Sequence, residues 1–109
     1  MQKSQIKFCN PSDLLKLQNA IIIDVRNYDY NEGGHFEKAI NIPIEDITSE
    51  QSIEKLSSYS TIAVYCMYSQ QRGPAAAIDL MQIFPDKKIV VCCGGFCAVR
   101  QAFKDMILE

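Results

Sequence analysis

A cysteine at the end of an apolar run, five uncharged residues and then an arginine open the segment YCMYSQQRGPAAAI, residues 65–78. An alanine-rich helical pattern starts directly after the arginine. Strand, short loop and helix in that order form a ready anion site, because the loop N–H groups and the unbonded N–H groups of the first helical turn converge on one point. Arg72 would add a planar fork of donors suited to two oxygens of phosphate or arsenate. The same positive field favours the thiolate of Cys66, the nucleophilic form of a thiol. Cys66 as nucleophile, Arg72 as clamp and the main-chain N–H groups of Met67, Tyr68, Ser69, Gln70, Gln71 and Arg72 as cradle are therefore the expected machinery. A buried, inert cysteine beside a solvated arginine is the plain alternative.

Such a loop needs a sheet to carry it, and alternation of short apolar runs with helical patterns supplies one. QIKFC (5–9), AIIIDV (20–25), AINI (39–42), TIAVYC (61–66) and KIVVCC (88–93) read as strands, several of them apolar on both faces. NPSDLLKLQ (10–18) reads as a helix capped by Asn10, with Pro11 in its first turn. EDITSEQSIEKLSS (45–58) suggests one or two short surface helices, PAAAIDLMQIF (74–84) a helix, and GGFCAVRQAFKDMILE (94–109) a last one. The pattern predicts an α/β domain in three layers, a five-stranded, mostly parallel sheet with helices on both faces. In such sheets ligands sit at the carboxyl ends of strands, where Cys66 falls.

The 109 residues suit one domain, 1–109, and 48% hydrophobic with 22% charged residues is globular composition. A net charge of −2 with scattered Lys and Arg argues against a nucleic-acid surface. The start MQKSQIKF lacks a signal-like apolar run and no stretch approaches a membrane span, so a cytoplasmic protein is expected, with the nucleus also open. Five cysteines (Cys9, Cys66, Cys92, Cys93, Cys97) read as reduced thiols. Their spacings lack the paired CxxC form of structural zinc, so no metal is expected. His35 reads as a turn residue bonding neighbouring backbone, and Asp24 with Arg26 as a structural ion pair. Glu32, Glu37 and Asp46 are rim residues.

CMYSQQRGP, read as CxxSxxRGP, resembles the active loop of rhodanese-fold phosphatases of the cell-division-cycle type and of the related eukaryotic arsenate reductases. IIIDVRNYDYNEGGHFEKAINIP (21–43) is similar to the family's Asp-x-Arg, tyrosine-rich, Gly-Gly-His and Ala-x-Asn-x-Pro stretch, and KIVVCCGGF (88–96) to its last strand and Gly-Gly-aromatic turn. The resemblance implies a rhodanese-like fold with Cys66 as nucleophile and Arg72 as oxyanion ligand. Sulfur-transferring members have a loop one residue shorter, so the five residues between Cys66 and Arg72 favour a tetrahedral oxyanion. Tyr65 stands where these enzymes usually carry His, and no acid stands in the loop, with Gln71 before the arginine and Met67 after the cysteine.

A cysteine-dependent phosphatase of the protein tyrosine or dual-specificity type is the first expectation, acting on a phosphorylated protein or a small oxyanion without a cofactor. Arsenate reduction, with glutathione and glutaredoxin as reductant, follows closely. The alternatives are a thiosulfate-type sulfurtransferase with a Cys66 persulfide and a non-catalytic binding module. Cys92, Cys93 and Cys97 are candidate redox partners of Cys66. The position before the strand-end arginine, which holds a back-door cysteine in some such phosphatases, is Val25.

Overall fold

A computed structural model describes residues 6–109. Its elements run β1 (Lys7–Cys9), β2 (Ala20–Asp24), β3 (His35–Phe36), β4 (Ala39–Asn41), α1 (Glu50–Leu56), β5 (Thr61–Tyr65), α2 (Arg72–Ile83), β6 (Lys88–Cys92), α3 (Gly95–Ala102) and β7 (Ile107–Leu108). Five strands form one sheet in the order β1-β6-β5-β2-β4, and every pairing in it is parallel. Ala76, Ala77 and Leu80 of α2, with Leu56 and Ile47, cover Ile23, Ile62, Val64 and Val91 on one face. Phe96 and Val99 of α3, with Leu14, cover Ile22, Ala63, Val90 and Cys92 on the other. The expected three-layer α/β fold, a five-stranded sheet with helices on both faces, is what the chain adopts.

Strand ends fall within a residue or two of the sequence pattern, and Gln5, expected in the first strand, lies outside the described residues. The segment after Asn10 forms a six-residue 3-10 helix, Pro11–Lys16, whose entry is held by the Asn10 N–H on Asp13 Oδ2 at 3.2 Å. The 45–58 region divides into a 3-10 turn, Ile44–Asp46, and α1, capped where Ser49 Oγ accepts the Ser52 N–H. The long final helix expected over 94–109 stops at Ala102. Beyond it Phe103 stacks on Phe36 at 5.1 Å, and Ile107 and Leu108 pair antiparallel with Phe36 and His35. Apolar burial against Phe36 outweighs helical continuation there, and this two-stranded ladder had no counterpart in the sequence reading.

The carboxyl end of β2 is organised by a buried charge. Arg26 is fully buried and Asp24 is 1% exposed. Arg26 Nε donates to both Asp24 carboxylate oxygens at 3.0 and 2.9 Å, and Nη2 lies 2.8 Å from Oδ2. The rest of the guanidinium donates to main-chain carbonyls of the following loop, Nη1 to Glu32 at 2.8 Å and Nη2 to Gly34 at 2.9 Å. The Phe96 ring packs 4.0 Å from its central carbon. Burial pushes the Asp24 carboxyl above the ordinary range although Arg26 pulls it back. The pair thus reads as structural, as expected, and its removal should be severe. Arg26→Ala strands a buried carboxylate and frees the loop, and should cost about 3–5 kcal/mol in urea unfolding; a loss under about 1 kcal/mol would remove this role.

Candidate active site

Asp24 and Tyr65 are register partners, so the loops leaving β2 and β5 emerge side by side. Cys66 ends the β5 side at 3% exposure. Its Sγ accepts the N–H of Gly73, in the first turn of α2, at 3.3 Å. The sulfur therefore lies on the floor of the loop, facing the positive end of a twelve-residue helix.

Two contacts from α3 shape the loop. Phe96 N–H donates to Cys66 O at 2.8 Å, and Cys97 N–H to Met67 O at 3.2 Å. In a trans peptide C=O and N–H point in opposite directions, so fixing these two carbonyls turns the Met67 and Tyr68 N–H groups away from α3. Among the described residues, no main-chain carbonyl accepts the N–H groups of residues 67–71. Gly95, at φ +62°, makes the approach possible: a Cβ there would come within 2.6 Å of Met67 O and closer still to Cys66 O. Ser69 adopts the left-handed conformation at φ 56° and is 6% exposed, and its hydroxyl has no partner among the described residues. A buried donor of this kind normally finds an acceptor, and an oxyanion held by the loop would provide one.

Arg72 departs from the expected picture. Instead of closing over the loop, its guanidinium is forked onto Asp29, Nη1 to Oδ1 at 2.7 Å and Nη2 to Oδ2 at 2.6 Å. Nη1 also reaches Asn27 Oδ1 at 2.7 Å. Both partners come from the loop wound around Arg26. Asp29 is 4% exposed, and the Arg72 fork holds its carboxyl below the usual range. The exposed Tyr28 ring flanks Arg72 at 5.4 Å. A carboxylate thus sits in the bidentate site that an oxyanion would take.

A model of the rhodanese-like domain matches residues 10–102. The chain belongs to the rhodanese-like domain family. The domain is 38% identical over 77 residues to the dual specificity phosphatase ibp1 of Schizosaccharomyces pombe, a match covering 68% of this chain and 55% of the relative. The chain therefore spans about half of that protein. Among solved structures it superposes on Saccharomyces cerevisiae Ygr203w, described as a homolog of single-domain rhodanese and the Cdc25 phosphatase catalytic domain, with a TM-score of 0.73 at 22% identity, covering 95% of this chain and 86% of that one. It also superposes on the As-Sb reductase from Leishmania major, with a TM-score of 0.71 at 24% identity, covering 93% and 81%. At these identities the two structures establish likeness of fold.

Within the rhodanese-like domain the other candidates scatter. Tyr65, where His was noted as usual, points to the opposite face of the sheet and packs against Phe96 at 6.5 Å, so it does not touch the thiol. Cys92 lies on that face too, in a different apolar cluster from Cys66. Cys93 is exposed, and Cys97 Sγ lies 3.9 Å from the sulfur of Met67, which makes it the cysteine packed against the loop. His35 stacks on Tyr30 at 3.9 Å and its Nδ1 has no partner among the described residues, in place of the backbone bond expected for a turn histidine. Glu32 borders a cleft of about 630 Å³ beside the loop with Met67, Tyr68, Cys97, Arg100 and Lys104; neither Cys66 nor Arg72 lines it. Glu37 is exposed and Asp46 ends the short turn after β4.

Sequence reasoning missed Asp29 and Asn27. The available signal was position: both follow Arg26 within three residues, in a loop at the carboxyl edge that also carries Cys66. Asp29→Asn should free Arg72 and raise affinity for tungstate or sulfate several-fold by calorimetry, while lowering stability at pH 7 by about 1–3 kcal/mol. Because the folded carboxyl is depressed, its contribution is present above the ordinary value near ~4 and fades as pH falls through the folded value. The variant should lose that part of the acid limb, and unchanged tungstate affinity would show that Asp29 does not occupy the oxyanion fork.

Proposed function

We propose that this rhodanese-like domain is a cysteine-dependent phosphatase of the protein tyrosine or dual-specificity type. The observation that carries the reading is the Gly73 N–H on Cys66 Sγ in a loop whose five intervening residues end at Arg72. Helix α2 directs its positive end at the sulfur, the point where a dianion would be held. A small tetrahedral anion entering the loop meets inward N–H groups, the unpartnered Ser69 hydroxyl and Arg72 once that side chain exchanges Asp29 for the anion. In-line attack by the Cys66 thiolate on phosphorus forms the Sγ–P bond and breaks the ester P–O bond. Arg72 and the loop donors stabilise the equatorial oxygens, and water then hydrolyses the phosphocysteine. The likeness to the fission-yeast dual specificity phosphatase supports this choice.

One observation favours arsenate reduction as a second reading. The carboxyl beside Arg72 belongs to Asp29, held ionised by that arginine, and an ionised carboxylate cannot protonate a leaving alkoxide. Attack on arsenate expels water or hydroxide and asks for no strong acid, and the glutathione and glutaredoxin system would then supply reductant. The same argument orders phosphoester substrates: aryl phosphates, whose leaving groups need little protonation, should be cleaved well ahead of alkyl phosphates.

The test is a side-by-side assay of aryl-phosphate hydrolysis with and without vanadate, arsenate reduction with glutathione and glutaredoxin, and thiocyanate formation from thiosulfate and cyanide. Vanadate-sensitive hydrolysis is expected, and Cys66→Ser should reduce kcat on the order of 10³-fold or more. Thiocyanate formation alone would replace the phosphatase by a Cys66-persulfide sulfurtransferase. Hydrolysis that survives the serine substitution would displace Cys66 as nucleophile.

A further inference from the structure

Cys9 and Cys92 are register partners on the adjacent parallel strands β1 and β6. Partners in a parallel ladder direct their side chains to the same face of the sheet. Both lie on the α3 face, Cys92 fully buried in its apolar cluster and Cys9 half-buried at the margin. Neighbouring strands ~4.7–4.9 Å apart put the two Cα atoms inside the ~4.4–6.8 Å range that a disulfide spans. The Cys92 thiol lies 3.8 Å from the Cys93 carbonyl oxygen, at the same strand end. One residue further on, the Cys93 N–H donates to Cys9 O at 2.8 Å and holds the register.

We propose that Cys9 and Cys92 form a second redox site, a dithiol that a low-molecular-weight disulfide such as oxidised glutathione converts to an intrachain disulfide. It is separate from Cys66, which lies in the cluster on the other face. The two cysteines have unequal roles. Cys9 is the accessible member, on an outer strand that pairs only with β6 among the described residues. The neighbouring Cys92 thiol holds the Cys9 thiol below its ordinary value, and the proximity of Cys9 together with burial raises Cys92. Cys9 thiolate therefore attacks one glutathione sulfur, forming a mixed disulfide and expelling a glutathione thiolate. That thiolate takes the Cys92 proton, directly or through water. Cys92 then attacks the Cys9 sulfur, forms the Cys9–Cys92 bond and expels the second glutathione. Two protein thiols lose two electrons in all, and one glutathione disulfide becomes two thiols.

The bond would join the first strand to the end of β6, which leads through Gly94 into the α3 amides that hold Cys66 O and Met67 O. It closes most of the chain into one loop, so oxidation should raise Tm by on the order of 5–15 °C.

The experiment equilibrates the wild-type protein in glutathione redox buffers, alkylates it under acid quench and maps the digest by mass spectrometry. Fragmentation assigns the bond within the peptide carrying Cys92, Cys93 and Cys97. The expected product links Cys9 to Cys92 and is two hydrogens lighter than the separate peptides. It should persist in Cys93→Ser, vanish in Cys9→Ser and leave alkylation of Cys66 unchanged. Linkage of Cys9 to Cys93, of Cys92 to Cys66 or Cys97, or a glutathionylated Cys9 beside a freely alkylated Cys92 would overturn the proposal. The mapping on wild type and Cys93→Ser decides the matter even if Cys9→Ser folds poorly, and none of it depends on which activity Cys66 supports.

Discussion

The buried Arg26 guanidinium is the constraint on which the rest of the site depends. It sits at the carboxyl end of β2, neutralised by Asp24, and spends its remaining donors on carbonyls of the loop that follows. Removing a charge from water is costly, and such a group is retained only when every donor is satisfied. The eight residues after it therefore have little choice of path. That path delivers Asn27 and Asp29 to Arg72, and it lays Arg26 against the Phe96 ring of α3. Loop, helix and the turn after Cys66 are coupled through one side chain.

Much of this was legible in the sequence because it rests on short-range patterns. β-branched runs located the sheet strands closely, and the Gly-Pro after Arg72 marked the start of α2 within two residues. Cys66 at a strand end followed by a helix start was sufficient to place the strand–loop–helix turn that holds it. The Asp24–Arg26 pair was readable from its spacing at a strand end. What escaped is non-local. β3 and β7 are two residues each, too short for any periodicity, and they exist because each supplies the other's ladder. Tyr65 looked like a substituted catalytic neighbour, yet alternation along β5 sends it and Cys66 to opposite faces. Asp29 carried no pattern at all, since only the fold brings it to Arg72.

Under the proposed function Arg72 would have two anionic partners in competition, one covalently tethered and one from solution. The structure shows the tethered state, in which Asp29 takes both arms of the fork. A doubly charged guest has the stronger claim on a fork of this shape, and the loop N–H groups and the Ser69 hydroxyl add donors that Asp29 does not reach. A singly charged carboxylate gains none of those extra donors. The resting pair would thus set a threshold of charge for any anion that displaces it.

The clamp that α3 places on Cys66 O and Met67 O has a kinetic corollary. With the main chain of the turn already held, admission of a guest requires a change of rotamer at Arg72 and no refolding of backbone. Side chains that are partly open to solvent reorient in picoseconds to nanoseconds, whereas loops take nanoseconds to microseconds. Under the proposed function such a doorway would open far faster than bond-making at phosphorus or arsenic, so its cost would be felt in occupancy at equilibrium and would leave the pace of turnover to the chemistry.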